Sequence, residues 1–244
     1  MVLKVVDSGS KANCFILEGR SSTLIIECGS SFRRMSEAIN FEIDRVDGCL
    51  VSHEHRDHCK HAGKYAKRGI KIYGSNETIQ DIKAYTEMDS PYFNVLRAKE
   101  EIKIGEFLIK PFDVKHDAKE PFGYLIYHPE AGNILFAIDT YYIPYRFKAI
   151  DYLMIEANYK QSIVDSNVQQ GYVHPIVRNR LLRGHMEIET LGDMLRANNT
   201  NSLKKTILLH LSDKNSDPPA FEKYISRITG VPTISAKRDV IVNL

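Results

Sequence analysis

The sequence predicts an α/β fold with mixed rather than purely parallel β-sheets, organised as one domain over residues 1–244. Short apolar segments rich in β-branched and aromatic residues alternate with stretches of helical length, and this alternation is typical of α/β chains. Two pairs of neighbouring segments, 4–6 with 14–17 and 123–127 with 134–138, are spaced like hairpins, so some strands should run antiparallel. No repeat, low-complexity tract or linker divides the chain.

The predicted strands are short and are bounded by Gly, Asp, Asn or Pro residues. They cover residues 4–6, 14–17, 23–27, 48–51, 71–73, 107–112, 123–127, 134–138, 152–155, 206–209 and 240–242. The predicted helices cover residues 31–39, 60–67, 76–85, 168–182, 187–197 and 218–228. Ser75 and Asp217 are expected to be N-caps, and Gly230 stands where the last helix should end.

The composition is that of an ordinary globular protein, with 43% hydrophobic and 26% charged residues in 244. The net charge of +2 provides no global basic field, so a polyanionic substrate would need local charge or metal ions. The four cysteines lack C-x-x-C spacing and are expected to be free buried thiols. No apolar run is long enough to span a membrane, and residues 1–7 are typical of a first strand rather than a signal peptide, so we expect a cytoplasmic protein.

The segment with the strongest functional signal is Ser52-His53-Glu54-His55-Arg56-Asp57-His58, which follows the apolar run 48–51. Side chains alternate along a strand or a tight turn, so His53 and His55 can point the same way. Asp57 and His58 are adjacent and can face a neighbouring point. Imidazole and carboxylate are the usual ligands of zinc, manganese and iron, so this spacing favours two metal ions side by side over a solvated His-rich loop.

Three further residues at the ends of predicted strands can complete a two-metal set. His116 follows the strand 107–112, Asp139 follows the run 134–138, and His210 ends the run 207–209. The carboxyl ends of strands are where sheet enzymes gather their site residues. Each residue alone could be a turn residue or a cap, but their order after the His-x-His-x-Asp-His motif predicts ligation by all three.

These motifs resemble the metallo-β-lactamase superfamily, and within it the YycJ/WalJ-like branch of small nucleases. The resemblance covers nearly the whole chain in order and is carried by residues 7–14, 53–58, 114–118, 121–124, 138–140, 155–158, 184–185 and 209–215. It implies a four-layer αββα sandwich with two mixed sheets and a metal site at one edge of them.

The resemblance also implies the ligand assignment. One ion would be held by His53, His55 and His116, and the other by Asp57, His58 and His210, with Asp139 bridging. Asp57 is expected to be catalytic as well as ligating. Two divalent ions, zinc or manganese, would share a hydroxide, because together they lower the pKa of the parent water to about 7. This hydroxide would attack phosphorus.

His185 is the leading candidate for a catalytic or phosphate-binding side chain, because superfamily nucleases resemble this chain in placing a late histidine there. Asn13, at the end of the Ser/Gly-rich opening loop, is expected to contact substrate. Two basic stretches could follow a nucleic-acid backbone, although solvated helix faces explain them as well; they are Lys60, Lys64, Lys67 and Arg68, and Arg178, Arg180 and Arg183.

The function expected from the sequence is that of a metal-dependent phosphodiesterase, most simply a DNA exonuclease-like nuclease with DNA favoured over RNA. Three alternatives stay open at this point. One is a cyclic nucleotide phosphodiesterase, another a thioester, lactone or lactam hydrolase of the same fold, and the third a non-catalytic metal-binding protein. The sequence does not determine the oligomeric state.

Overall fold

A computed structural model describes residues 1–198 and 200–244 and contains two seven-stranded sheets. The strands of the first sheet lie in the order β14-β1-β2-β3-β4-β5-β6, and those of the second in the order β13-β12-β11-β10-β9-β8-β7. The strands are β1 Val2–Asp7, β2 Cys14–Glu18, β3 Thr23–Ile26, β4 Val46–Leu50, β5 Ile72–Gly74, β6 Phe93–Val95, β7 Ile102–Ile104, β8 Phe107–Asp113, β9 Phe122–His128, β10 Gly132–Ala137, β11 Tyr152–Glu156, β12 Lys205–Leu209, β13 Thr233–Ser235 and β14 Ile241–Asn243.

Both sheets are mixed, as the hairpin-like spacing predicted. In the first, β1 pairs antiparallel with β2 and β14, whereas β3, β4, β5 and β6 are parallel. In the second, β7, β8 and β9 are antiparallel neighbours, whereas β10, β11, β12 and β13 are parallel. The predicted α/β class with two mixed sheets is confirmed.

Eight α-helices accompany the sheets in the described residues, and they are α1 Phe32–Ala38, α2 Arg56–Cys59, α3 Ala62–Ala66, α4 Asn76–Thr86, α5 Gln161–Gln169, α6 Pro175–Gly184, α7 Ile188–Ala197 and α8 Pro218–Thr229. The predicted caps are confirmed, since the Ser75 and Asp217 side chains accept backbone N–H groups of α4 and α8. Gly230 ends α8 with a left-handed φ of 75°. Of these helices, none is long and apolar enough to cross a membrane.

Two predicted helices were wrong in their bounds. Of the helix expected over 168–182, residues 168–169 end α5, residues 170–174 are not helical, and α6 begins at Pro175 after the extended cap residue His174. Residues 161–167, which begin α5, were not predicted to be helical. The helix expected over 60–67 is preceded by α2, a single turn that starts inside the metal motif. Three short strands, β6, β7 and β13, were not predicted, since three residues leave too little alternation to distinguish a strand from a loop.

The chain folds into two compact units. The first unit comprises Met1–Asp113, Ala118–Gly132 and Lys237–Leu244, and the second comprises Val114–Asp117 and Asn133–Ala236. The sequence-based assignment of 1–244 to one domain stays a prediction.

The core of the first unit contains the four cysteines. Cys14, Cys28, Cys49 and Cys59 are fully buried in one hydrophobic cluster and form no disulfide, as predicted. Burial is the main cause that raises the pKa of each of these thiols above its ordinary value. Cys59, which follows the metal motif directly, therefore packs in the core as a protonated thiol.

Candidate metal centre

In the first unit, the His-x-His-x-Asp-His motif begins where the buried strand β4 ends. His53 is fully buried, and His55 is the N-cap of α2. The motif was expected on a strand or a turn, but Asp57 and His58 lie in the helical turn α2. The ring centroid of His53 is 4.6 Å from that of His55 and 4.2 Å from that of His58, so three imidazoles gather at one point.

The backbone of the motif is held by the segments that follow β1 and β3. Asn13 N–H donates to the carbonyl of Asp57 at 2.8 Å, and Cys28 N–H donates to that of His58 at 2.7 Å. Gly29 N–H donates in turn to the Asn13 carbonyl at 3.0 Å. A Cβ on Gly29 would lie 1.7 Å from the Asp57 carbonyl oxygen, which no side chain allows. The close approach of these backbones therefore requires glycine at position 29.

The side chain of Asn13 is fully buried against the motif. Its Oδ1 accepts the Gly9 N–H at 2.9 Å, and its Nδ2 lies 3.4 Å from Asp57 Oδ2 and 3.2 Å from His58 Nε2. These contacts make Asn13 a positioning residue for two predicted ligands. Its expected contact with substrate stays a prediction.

Sequence reasoning did not single out Glu27, a fully buried carboxylate behind the motif. Both of its oxygens lie 3.3 Å from Ser52 N, and Oε1 lies 3.5 Å from His58 Nδ1. Ser52 Oγ in turn contacts His53 Nδ1 at 2.9 Å. A partner on Nδ1 fixes the orientation of a ligating imidazole, so Ser52 orients His53, while Glu27 contacts the Ser52 N–H and lies close to the His58 ring. The available signal was a carboxylate directly after the apolar strand β3.

In the second unit, ligand-type side chains gather at the carboxyl ends of parallel strands. Asp139 follows β10, Glu156 ends β11 and His210 follows β12, while His185 caps the C-terminus of α6. Because β10, β11 and β12 are parallel neighbours, their ends meet at one edge of the sheet. One ligand atom from each of these four residues lies within 4.8 Å of the others.

The three downstream residues predicted as ligands all reach this edge. His210 Nδ1 contacts Asp139 Oδ1 in a very short hydrogen bond, and His116 Nε2 lies 3.8 Å from Asp139 Oδ2. His116 Nδ1 lies 2.8 Å from the carbonyl of Gly184, which fixes the ring. Burial is the largest cause that lowers the pKa of His116, and a neutral imidazole is the form that binds metal.

Glu156 is the second functional candidate that residue patterns alone did not assign. It is fully buried, its Oε2 accepts the N–H groups of Thr140 at 2.9 Å and Met186 at 3.1 Å, and its Oε1 lies 2.6 Å from His185 Nδ1. Burial lowers the pKa of His185, but the charge and hydrogen bond of Glu156, aided by Asp139, outweigh it and raise the pKa to about 9.

Three of the site residues have left-handed backbones, which is uncommon for residues other than glycine. The φ angles are 68° at Glu27, 46° at Asp139 and 51° at His210. Each residue follows the buried part of a strand, and the sharp turn of the chain there aims its side chain across the strand end. Such conformations cost free energy and concentrate at functional sites, which supports the assignment of these positions.

Other sequence candidates lie outside these clusters or are already paired. Arg178 is bound to Asp165 at 2.6 Å, whereas Arg180 is 76% exposed and lies 3.7 Å from Asp117. His174 accepts the Ile176 N–H as the cap of α6. The basic residues at 60, 64, 67 and 68 are all exposed, and their role in binding stays a prediction.

The donor set of both units is imidazole and carboxylate, which suits zinc, manganese or iron. The residues that could hold metal are His53, His55, Asp57 and His58 in the first unit, and His116, Asp139, His185, His210 and Glu156 in the second. The sequence assigned His185 to catalysis rather than ligation, and its place in the four-residue cluster makes both roles geometrically accessible.

Comparison with known proteins places this geometry in a family. The profile described as "Beta-lactamase superfamily domain" matches residues 23–211. The chain is 27% identical over 223 residues to the exodeoxyribonuclease WalJ of Streptococcus pneumoniae, covering 87% of this chain and 82% of WalJ. It is 26% identical over 227 residues to the exodeoxyribonuclease YycJ of Bacillus anthracis, covering 87% and 83%.

A solved structure supports the same assignment at the level of the fold. The metallo-β-lactamase fold protein YhfI of Bacillus subtilis superposes with a TM-score of 0.71 at 14% identity, covering 99% of each chain. The predicted metallo-β-lactamase fold with two mixed sheets is thus shown, and the family and its exonuclease-named relatives support a metal-dependent hydrolase. The chain belongs to the beta-lactamase superfamily and is similar over most of its length to the exodeoxyribonucleases WalJ and YycJ.

Proposed function

We propose that this protein is a metal-dependent phosphodiesterase that acts as a DNA exonuclease. The observation that carries the proposal is the buried cluster of Asp139, Glu156, His185 and His210 at the ends of three parallel strands. The exodeoxyribonuclease names of the relatives WalJ and YycJ support DNA as the substrate class. A protein with a net charge near zero can bind a polyanionic substrate if groups at the site neutralise the charge of the reacting phosphate locally.

The residues present fit two divalent ions, zinc or manganese. In the proposed assignment His53, His55 and His116 would hold one ion and Asp57, His58 and His210 would hold the other, with Asp139 as a ligand of both. Partners fix the Nδ1 atoms of His53 and His116, namely Ser52 Oγ and the Gly184 carbonyl, which orients Nε2 toward a ligand. When bound, such ions activate water and neutralise the charge of a transferred phosphoryl group.

His185, held by Glu156, would supply a proton to the oxygen that leaves phosphorus. Glu156 accepts from Nδ1 of His185 and, in the metal-free protein, raises the pKa of the imidazole to about 9, so that at neutral pH its Nε2–H can donate. Glu156 cannot turn away, because two backbone N–H groups hold its other oxygen. The pair therefore provides a positioned donor for the phosphate or for the departing 3′ or 5′ oxygen.

The test is a cleavage screen with the purified protein and added manganese or zinc. Labelled single- and double-stranded DNA and RNA are compared with a cyclic nucleotide, a chromogenic lactam and a thioester. We expect DNA to be degraded from an end, and an Asp139→Asn variant to lose this activity. Faster turnover of the lactam or the thioester would overturn the phosphodiesterase proposal, and metal binding without any turnover would favour the non-catalytic alternative.

A further inference from the structure

The turn that follows Asp139 presents two exposed aromatic side chains. Tyr141 is 43% exposed and Tyr142 is 53% exposed, although both lie within three residues of a predicted bridging ligand. Adjacent exposed aromatic side chains beside a candidate site offer a surface on which a ligand can pack. The mechanism proposed above uses neither tyrosine.

The backbone of this turn is fixed to the segment that carries His116. Tyr141 N–H donates to the Lys115 carbonyl at 3.0 Å, and Lys115 N–H donates to Thr140 Oγ1 at 3.1 Å. Thr140 Oγ1 itself donates to the Tyr142 carbonyl at 2.9 Å. The tyrosines thus project from a turn tied to both ligand-bearing segments, and their positions are set before any substrate arrives.

The same hydrogen bonds pair Tyr142 with a cation. Lys115 and Tyr142 are partners in an isolated antiparallel bridge. Side chains of directly opposite residues in such a bridge lie on one face, about 4.5–5.5 Å apart at Cβ. Lys115 is exposed, as Tyr142 is, so the two side chains start from neighbouring Cβ atoms on one exposed face of the bridge.

A ring next to a cation is the combination that binds single-stranded nucleic acid, since the ring stacks on a base while the cation contacts the adjacent phosphate. We propose that Tyr142 stacks a nucleobase of the strand being cleaved and that Lys115 binds the phosphate beside that base. The proposal rests on the nuclease function proposed above and deepens it, because it names the residues that bind the strand next to the reacting phosphate. Stacking tolerates every base, so this contact would bind DNA without sequence preference.

The experiment measures binding and cleavage of two single-stranded DNA oligonucleotides of equal length. One carries normal bases and the other carries a stable abasic analogue at every position. Fluorescence anisotropy on chelated protein gives Kd without turnover, and the metal-loaded protein gives KM and kcat. The variants are Tyr142→Ala, Tyr142→Phe and Lys115→Ala, with Tyr127→Ala as the matched control because Tyr127 is 41% exposed on β9.

We expect Tyr142→Ala to weaken binding of the normal strand by roughly 5- to 150-fold, the scale of one base–aromatic stack. Binding of the abasic strand should not change, Tyr142→Phe should stay within about twofold because it keeps the ring, and Tyr127→Ala should have no effect. Lys115→Ala should lower the slope of log Kd against log salt by about 0.7, as expected for one phosphate contact on a single strand.

Four outcomes would overturn the inference. Equal losses on the normal and abasic strands would mean that Tyr142 supports the fold rather than a base. A change from dimer to monomer in light scattering of Tyr142→Ala would assign the tyrosine to an interface with a second copy. If the wild-type protein cleaves DNA and Tyr142→Ala binds it with unchanged affinity, this inference alone is refuted. If the wild-type protein neither binds nor cleaves nucleic acid, the nuclease proposal is refuted as well.

Discussion

Replacing Glu156 with glutamine should change the protonation of His185 while leaving the shape of the site intact. The amide oxygen of glutamine can accept the Thr140 and Met186 N–H groups that Glu156 Oε2 accepts now. Its NH₂ group then faces His185 Nδ1, which must give up its proton to accept that bond. The charge of Glu156, the largest contribution that raises the pKa of His185, is lost, and burial, which lowers that pKa, should then outweigh the remaining charge of Asp139.

The size of the effect follows from the pKa of His185 in metal-free protein. That pKa is raised from 6.5 to about 9, and each pKa unit corresponds to about 1.4 kcal/mol, so the ionised pair stabilises the fold by about 3 kcal/mol. Because the pKa in the folded state is the higher one, this stabilisation is fully present below pH 6.5 and is lost as the pH rises through about 9. The variant should therefore be less stable than the wild type at pH 6, and the difference should shrink by pH 10.

Two measurements on chelated protein check this reasoning. An NMR titration of the imidazole carbons should show His185 titrating near pH 9 in the wild type and below 6.5 in Glu156→Gln. Urea unfolding of both proteins between pH 6 and pH 10 should show the converging free energies. A wild-type His185 that titrates at or below its ordinary pKa would refute the ion pair and, with it, the proposed proton donor.

Other substitutions test the ligand assignment, the role of His185 and the packing at Gly29. Replacing both Asp57 and His58 with alanine removes two predicted ligands, so elemental analysis should find the metal content reduced by about half or more. Full retention of metal would refute the ligand assignment. His185→Ala should lower turnover by roughly 10²–10⁴-fold with metal content unchanged, whereas lost metal would move His185 into the ligand set. Gly29→Ala would place a Cβ 1.7 Å from the Asp57 carbonyl and should destabilise the fold by about 3 kcal/mol or more, as measured by urea unfolding. Gly184→Ala, whose Cβ would be 3.5 Å from its nearest neighbour, should change stability little, and similar losses in both variants would contradict the steric argument.

The sequence predicted the parts of the fold that have strong local signals. Long alternating or apolar runs such as β8 and β9 were located to within a residue or two at each end. Helix α8 was located well because Asp217 and Gly230 mark its ends. The break between α5 and α6 was missed because the helical pattern runs through it, although Pro175 stood there as a start signal.

In the candidate site, too, some residues could be predicted from the sequence and others could not. The convergence of Asp139 and His210 could be anticipated because each follows a strand of the parallel part of the sheet, and parallel strands bring their ends together. His116 follows the antiparallel strand β8, so its place near Asp139 did not follow from this rule. Glu27 and Glu156 could not be assigned in this way, because their roles depend on which N–H groups and imidazoles reach them in space. A buried carboxylate after an apolar strand resembles many turn residues until its partners are known.

The four buried thiols have a consequence for metal loading and for oxidative damage. The thiolate is the form that captures zinc and reacts with peroxide, and burial keeps the thiols of Cys28 and Cys49 protonated by raising their pKa above 9.0. An ion that enters the predicted site would therefore meet nitrogen and oxygen donors and no thiolate. Because thiolates favour softer metals, their absence from the donor set leaves manganese competitive with zinc. Although Cys59 adjoins His58 in the chain, its sulfur points into the core and donates to the Glu54 carbonyl. Oxidants should thus spare the sulfur atoms until the core itself opens.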